Sequence, residues 1–540
     1  MSGDGSDRGP RRDGRGGPRT DGPRRSAPGP GGPRTDGRAA RAKTRNVARR
    51  DVDPARVAAF RTLRAVDVDD AYANLVLPRL LQDARLHGRD AAFATEIAYG
   101  AIRGRGVYDA VLAACVDRPL ADVDAAVLDA LRVGAHQVLA MRVPPHAAVG
   151  ATVDVVRAEV GQGAAGFANA VLRKVTEHDL EAWLALVAAG DDDEALGVRT
   201  SHPVWVVRAL RDALRFHGRD VAELDALLSA DNARPLVTLA ALPGLADADE
   251  LRAAVGDAPS DALDTASDAV SDAVSDAVSD AAGEGFSPLA VRMRGVPGDV
   301  PAVRDGRARV QDEGSQLVAL ALAAAGLDGP DGGRWLDLCA GPGGKSALLG
   351  ATLGGRREAG GLPADARLVA VEVTPHRAGL VRGSVEAVER RWPGAVEVRT
   401  ADGRVLGEDE AESYDRVLVD APCTGLGALR RRPEARWRRT PGDLAGLAPV
   451  QRDLLRSALD AVRPGGVVAY VTCSPHPAET GLVVDDVLRR RQDVERLDAR
   501  PVLAGVAGGR LEAGPGPAVQ LWPHVHGTDA MFLALLRKRA

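Results

Sequence analysis

The sequence predicts a Rossmann-like α/β domain with a mostly parallel seven-stranded sheet, preceded by an all-α domain and a disordered basic tail. Three observations predict it. From about Val310 onward, strand-like apolar runs alternate with helix-like segments, the pattern of a parallel sheet wrapped by helices. From Pro54 to about Gly190, alanine-rich segments repeat apolar residues at helical spacing. Residues 1–50 are rich in Gly, Pro and Arg and lack any apolar period. A chain of 540 residues exceeds one ordinary core, so about two or three domains are expected.

The elements follow in order. Residues 1–50 carry 14 Lys+Arg against 5 Asp, a net +9 that leaves the rest of the chain at -14. Such a tail reads equally as a nucleic-acid tether or as a solvated leader. Residues 51–190 read as a helical bundle, through "ARVAAFRTLRAV", "RDAAFATEIAYGAIRGRGVYDAVLAAC" and "DAAVLDALRVGAHQVLA". Short Gly/Pro breaks separate these runs. Residues 200–309 read as a bridging α+β subdomain with helices around "SHPVWVVRALRDAL" and "DVAELDALLSADN" and strands at "PLVTLAAL" and "LAVRMRG". A low-complexity insertion at 261–285 contains the repeat "SDAVSDAVSDAVSD" at 267–280 and reads as a surface segment without chemistry. Residues 310–540 supply strands at "RWLDLCA", "RLVAVEV", "VEVRTAD", "DRVLVDA", "GVVAYVTCS" and "AMFLALLRK".

Composition excludes several classes. No apolar run reaches the length of a membrane span, so no membrane partner is expected. The four cysteines, Cys115, Cys339, Cys423 and Cys473, are too widely spaced for a disulfide framework or a paired metal motif. A reducing cytoplasm and no metal are expected. Only Lys43, Lys174, Lys345 and Lys538 are lysines among 70 basic residues. A lysine inside a motif therefore invites a chemical reason, since an ammonium is a compact point charge and a guanidinium a broad fork.

In a parallel sheet ligands sit at the C-terminal strand ends, and every motif falls at one. "LDLCAGPGGKS" (336–346) is a strand, a glycine turn and a helix start. The P-loop spacing GxxxxGK[ST] and the dinucleotide pattern GxGxxG are both absent. The next strand ends at Glu372, where an acid suits a ribose diol. The third ends in "TADGR", placing Asp402 where an adenine amino group would be read. These three features in order resemble the S-adenosylmethionine site of class I methyltransferases.

Strand four ends in "DAPC", with Asp420 and Cys423, and strand five in "TCSPHPAE", with Cys473. Cys115 reads as a buried filler, and His476, beside two prolines, as structural. Two loop thiols beside a methyl-donor site suit cytosine C5 chemistry. A thiolate adding to C6 makes C5 nucleophilic, an acid at N3 stabilises the adduct, and a base must later take the C5 proton. Nearby, "LRRRPEARWRR" (429–439) clusters Arg430, Arg431, Arg432 and Arg436 with Trp437, side chains that suit phosphate contact and base stacking.

The motifs "VQDEGSQLVA", "LDLCAGPGGKS", "DRVLVDAPCTGLGALRRRPEARW" and "YVTCSPHPAE" resemble those of the Sun/Fmu-type RNA cytosine-C5 methyltransferases. The resemblance runs from about Ser201 to the C-terminus. The helical region resembles the NusB-like RNA-binding domain of the bacterial 16S rRNA members, with "NAVLRKV" (169–175) at its end. The resemblance implies Cys473 as nucleophile, Cys423 in product release, Asp420 at cytosine N3 and Lys345 beside them. It implies a cofactor pocket of Cys339, Ala340, Gly341, Pro342, Gly343, Gly344, Lys345, Glu372, Asp402 and Asp420. DNA cytosine methyltransferases use a Pro-Cys thiol as nucleophile, and the second cysteine in "TCS" separates the two families. There are departures. Thr424 stands for the usual Ser, Glu372 for Asp, Glu479-Thr480 for Glu-Asn, and "DAMF" for Asp-Gly-Phe-Phe.

The expected activity is S-adenosylmethionine-dependent methylation of cytosine C5 in 16S rRNA or pre-30S RNA, by a monomer. The rivals are the same chemistry on tRNA and a non-catalytic ribosome-assembly factor.

Overall fold

The computed structural model describes residues 52–256, 285–293 and 295–539. The basic tail and nearly all of the 261–285 insertion lie outside the described residues.

The helical region begins with Pro54–Val68, Ala73–Asp83, Gly88–Arg103 and Arg105–Cys115, and continues with Ala125–Leu139, Pro145–Val155, Gln162–Val175 and Leu180–Val187. Its starts are written in the sequence. Asp53 caps the first helix by accepting from the Ala55 amide at 2.8 Å, with Pro54 at the first position. Asp124 caps Ala125–Leu139 in the same way. The run from Arg89 to Cys115, continuous in its periodicity, breaks at Gly104 into two helices. A side chain at Gly104 would come within 2.5 Å of the Tyr108 ring. Helix Ala125–Leu139 is the centre of the bundle, with Leu131, Val133 and Ala135 buried on different faces. It also buries Asp129 and Arg132, which pair at 2.8 Å. Cys115 is buried and its thiol is pushed up to about 11, chiefly by burial, which suits a filler.

The bridging region holds helices Val204–Phe216 and Leu224–Asn232 and three strands. These are β1 (Val237–Ala241), β2 (Ala290–Met293) and β3 (Ala308–Val310), antiparallel in the order β2-β1-β3.

The large sheet comprises β4 (Arg334–Asp337), β5 (Arg367–Glu372), β6 (Val396–Thr400), β7 (Tyr414–Asp420), β8 (Val462–Thr472), β9 (Val494–Leu497), β10 (Val519–Gln520) and β11 (Phe532–Lys538). Its order is β10-β11-β8-β7-β4-β5-β6, with β9 also on β11. Strands β6, β5, β4, β7 and β8 run parallel, and β11 is antiparallel to β8. This is the mostly parallel seven-stranded plan of class I methyltransferases, extended by the two-residue β10. Alternate residues of each strand face two cores. Trp335 and Leu418 pack with Leu317, Leu348 and Val381 on one face, while Leu336, Val417 and Tyr470 pack with Leu455 and Val484 on the other. The parallel strands end at one edge of the sheet, at Asp337, Glu372, Thr400, Asp420 and Thr472.

Candidate active site

The site begins where β4 stops. Asp337 is buried, and one carboxylate oxygen accepts the Ser346 hydroxyl at 2.6 Å. The other is buried without a protein partner among the described residues. Burial pushes this carboxyl up to about 7; the Ser346 bond opposes the shift and the charge of Asp420 adds to it. The turn that follows needs glycine at one place and is crowded at another. Gly343 has φ +106°, and a Cβ there would lie 2.4 Å from the Ser384 Cβ. A Cβ at Gly341 would lie 2.3 Å from the Glu372 carboxylate. The helix Gly344–Glu358 then starts with no side chain capping its first turn.

Glu372 is buried at the end of β5 and accepts from the Thr374 amide at 3.0 Å. Being one methylene longer than Asp, it reaches the glycine turn, which the bare Gly341 allows. Arg377 reaches over both, donating to the Gly341 carbonyl at 2.9 Å and lying 3.5 Å from Glu372. Asp402, past the end of β6, is partly exposed and both its oxygens are engaged by Arg404. That pairing, with the Arg404 amide, holds the Asp402 carboxyl below the usual range.

This half of the edge fits S-adenosylmethionine. An uncapped helix start offers amides to a carboxylate. Asp337 ends β4 where the turn begins, and Glu372 ends β5, a position where an acid suits a ribose diol.

The other half is thiol chemistry. Lys345, at the start of the helix after β4, donates to Asp420 at 2.8 Å. Burial alone pulls the Lys345 ammonium down, but the charge and hydrogen bond of Asp420 reverse this and leave it raised. The Cys423 and Cys473 sulfurs are 3.4 Å apart, each partly buried. Their environments push them in opposite directions. The hydrogen bond from Cys423 lowers the Cys473 thiol below its ordinary value; burial and Asp420 oppose this, and Lys345 and Arg432 assist. The Cys423 thiol is raised, first by its bond to Cys473, then by burial and by the charges of Cys473 and Glu479. The two directions favour ionisation at Cys473 over Cys423. Cys339 is raised well above the usual thiol range by burial and by Asp337, Asp420 and Glu372, so it lines the pocket as a neutral group. His476 caps the turn Pro477–Glu479, its Nδ1 accepting the Ala478 amide at 3.1 Å.

The basic stretch requires a correction. Of the five side chains expected to contact RNA, four are engaged internally. Arg436 is fully buried and donates to the Ser201 carbonyl at 3.1 Å, the Asp231 carbonyl at 3.2 Å and Asn232 at 2.7 Å. Arg430 donates to the Gly527 carbonyl at 2.9 Å, and Arg431 makes a forked pair with Asp529. Trp437 packs on the helical region, where a Cβ at Gly106 would lie 2.8 Å from its ring. Arg438 likewise donates to the Val66 carbonyl at 2.8 Å. The physical reason is that helix ends carry unpaired carbonyls and a partial negative charge. Val66 and Asp231 lie in the last turns of Pro54–Val68 and Leu224–Asn232. Arginines that count as phosphate ligands in a sequence are drawn to those carbonyls in the fold. Arg432 is the exposed member, with its guanidinium 5.2 Å from the Tyr72 ring centre.

Sequence reasoning passed over Arg377 and Gln451, and met Glu479 only within the motif after Cys473. Gln451 was legible as a polar residue on the apolar face shared by Leu454, Leu455 and Ala458.

Comparison with known proteins identifies the family. Residues 324–537 match the family described as 16S rRNA methyltransferase RsmB/F, and residues 53–177 match the NusB family. A Mycobacterium tuberculosis protein named only as a "putative methyltransferase" is 49% identical over 500 residues, covering 92% of this chain and 99% of that protein. The ribosomal RNA small subunit methyltransferase B of Pseudomonas putida is 31% identical over 487 residues, covering 90% of this chain and 98% of its own. The crystal structure of PH0851 superposes with a TM-score of 0.68 at 20% identity, covering 90% of this chain and 99% of that one, and so shares the fold. The chain belongs to the RsmB/F family of S-adenosylmethionine-dependent RNA cytosine-C5 methyltransferases, with a NusB-family domain on the N-terminal side of the catalytic one.

Proposed function

We propose that this protein methylates C5 of a cytosine in 16S rRNA, or in pre-30S RNA, in the cytoplasm. The observation that carries the chemistry is the thiol pair, 3.4 Å apart beside Lys345 and Asp420. The NusB-family region favours small-subunit rRNA, as do relatives named for that substrate.

Cys473, the thiol whose surroundings lower it, adds as its thiolate to C6 and forms the C6–S bond. Charge then grows on the ring, and the Lys345–Asp420 pair delivers a proton to N3, with Asp420 in contact and Lys345 holding it in place. S-adenosylmethionine, when bound, supplies the electrophilic methyl group that C5 takes up. Two of the causes that raised the Cys423 thiol, the bond and the charge of the Cys473 thiolate, vanish once Cys473 is a thioether. Cys423 then releases its own proton to water more readily and serves as base. It takes the C5 proton, the C5–C6 double bond reforms, and Cys473 leaves as thiolate. N3 returns its proton to the Lys345–Asp420 pair, so the cycle closes without net change in the protein. Arg432, exposed near Cys473, is the side chain of the basic stretch left to meet a phosphate.

Bisulfite mapping of RNA from a deletion strain, with and without the gene restored, tests this. The expected result is one 16S cytosine that loses its methyl group and regains it. Loss at a tRNA cytosine instead moves the substrate to tRNA. No lost methyl group, with a defect in 30S assembly, makes the protein a non-catalytic assembly factor.

A further inference from the structure

A relay between two thiols on different loops needs something to fix the loops to each other. Glu479 does this. It sits in the turn Pro477–Glu479 after β8, at 0% exposure. One carboxylate oxygen accepts the Thr424 amide at 2.7 Å and the Gln451 side-chain amide at 3.2 Å. The other accepts the Thr424 hydroxyl. Gln451 also donates to the Pro422 carbonyl at 2.9 Å. The residues on both sides of Cys423 are thus tied to one carboxylate. Glu479 is itself anchored, since the Tyr470 hydroxyl donates to its carbonyl at 2.9 Å. The Thr424 hydroxyl lies 3.4 Å from Ser474, the neighbour of Cys473.

The chemistry of these donors matters. They are a backbone amide, a hydroxyl and a side-chain amide, so none of them is a cation. A buried carboxylate among neutral donors is a costly way to pack a loop, and a neutral side chain would do that work more cheaply. Its charge instead falls on the nearest thiol, Cys423, and opposes ionisation there. Lys345 and Arg432 favour ionisation at Cys473. At Cys473 these cations work against burial and the charge of Asp420, whereas at Cys423 the charges of Cys473 and Glu479 add to burial.

We propose that Glu479 is the positioning residue for Cys423, holding that thiol against Cys473 and keeping the proton of the pair on Cys423 until Cys473 has been consumed. The consequence for product release rests on the function proposed above, while the placement of the proton does not.

The test uses the full chain and two readouts. First, the free protein is alkylated with iodoacetamide at neutral pH and each cysteine is followed by peptide mass spectrometry. In the wild type Cys473 should react first. In Glu479→Gln, which keeps size but not charge, Cys423 should react on the order of tenfold faster, as one lost neighbouring charge implies. Glu479→Asp, which keeps the charge, should restore most of the protection. Second, Glu479→Gln should form the covalent RNA adduct more slowly than wild type, because part of the proton moves to Cys473. It should also release product slowly from the adduct that does form, because Cys423 is no longer held in place, so that kcat falls more than KM. If Glu479→Gln does not fold, Gln451→Ala should show the same two trends more weakly. Unchanged Cys423 alkylation in a folded Glu479→Gln overturns the inference, as does wild-type release from it. If no variant and no wild type forms an RNA adduct, the functional reading has failed, and the alkylation readout still decides the inference.

Discussion

The two halves of the sheet edge are built differently. In the cofactor half two of the carboxylates are met by arginines from the rim. Arg377 lies on Glu372 and Arg404 on Asp402, and both guanidinium side chains are about half exposed, at 49% and 47%. In the thiol half the supporting groups are interior. Thr424, Ser474 and Glu479 are at most 1% exposed, and their partners are one another. A flexible, solvated pair is cheap to break, whereas a buried network is expensive to distort. The cofactor half is suited to a ligand that must enter and leave at each turnover. The thiol half is suited to a geometry that must persist while a covalent bond forms and breaks. The thiol half is also the one fastened to the rest of the chain, because the segment after Cys423 leads to Arg436, which binds the bridging region, and to Arg438, which binds the helical domain.

Mutations should separate the halves. The largest effect is expected from Cys473→Ala, which should lower turnover by about a thousandfold or more while cofactor affinity stays within about twofold, by calorimetry. A comparable loss of cofactor affinity would erase the distinction. Glu372→Ala should do the reverse, weakening the cofactor by about ten- to a hundredfold as a buried, charged hydrogen-bond partner is lost. The thiols should retain their alkylation rates in that variant. Arg436→Met should cost on the order of 2–4 kcal/mol of stability, since it strips donors from three buried acceptors, as urea unfolding would read. In the folded protein it should slow product release and leave cofactor binding intact. A loss of cofactor affinity instead would mean that the clamp supports both halves alike. The smallest effect should come from removing residues 1–50. RNA binding should weaken modestly with a shallower salt dependence, because that stretch holds a net +9 charge. Turnover at saturating RNA should not change.

What could be read in the sequence follows from how each part is encoded. The order of strands and the cofactor turn are backbone features, and their residues are local. Gly341 and Gly343, the acid ending β5 and the alternation of β7 report themselves within a few positions. The strands β3 and β10, of three and two residues, carry too little alternation to be seen, and β9, Val494–Leu497, sets two charged residues between two apolar ones, a pattern that sits as well in a loop. Charge was harder to read than pattern. "LRRRPEARWRR" has the composition of an RNA-binding helix, yet Arg436 ends up on helix-terminal carbonyls more than 200 positions earlier in the chain. Glu479 was visible only as part of a motif, because its partners Thr424 and Gln451 lie 55 and 28 residues away. Long-range pairing of polar side chains is set by tertiary packing, and no local period announces it.

The order in which the two thiols act is the central claim, and one gel tests it most directly. Wild type, Cys423→Ala and Cys473→Ala are each incubated with labelled substrate RNA and S-adenosylmethionine, then run under denaturing conditions. Cys473→Ala has no group to add to C6, while Cys423→Ala can add and methylate but lacks the base that frees the product. The account predicts a slow-migrating covalent adduct in Cys423→Ala and none in Cys473→Ala. An adduct in Cys473→Ala and none in Cys423→Ala would contradict it and make Cys423 the nucleophile.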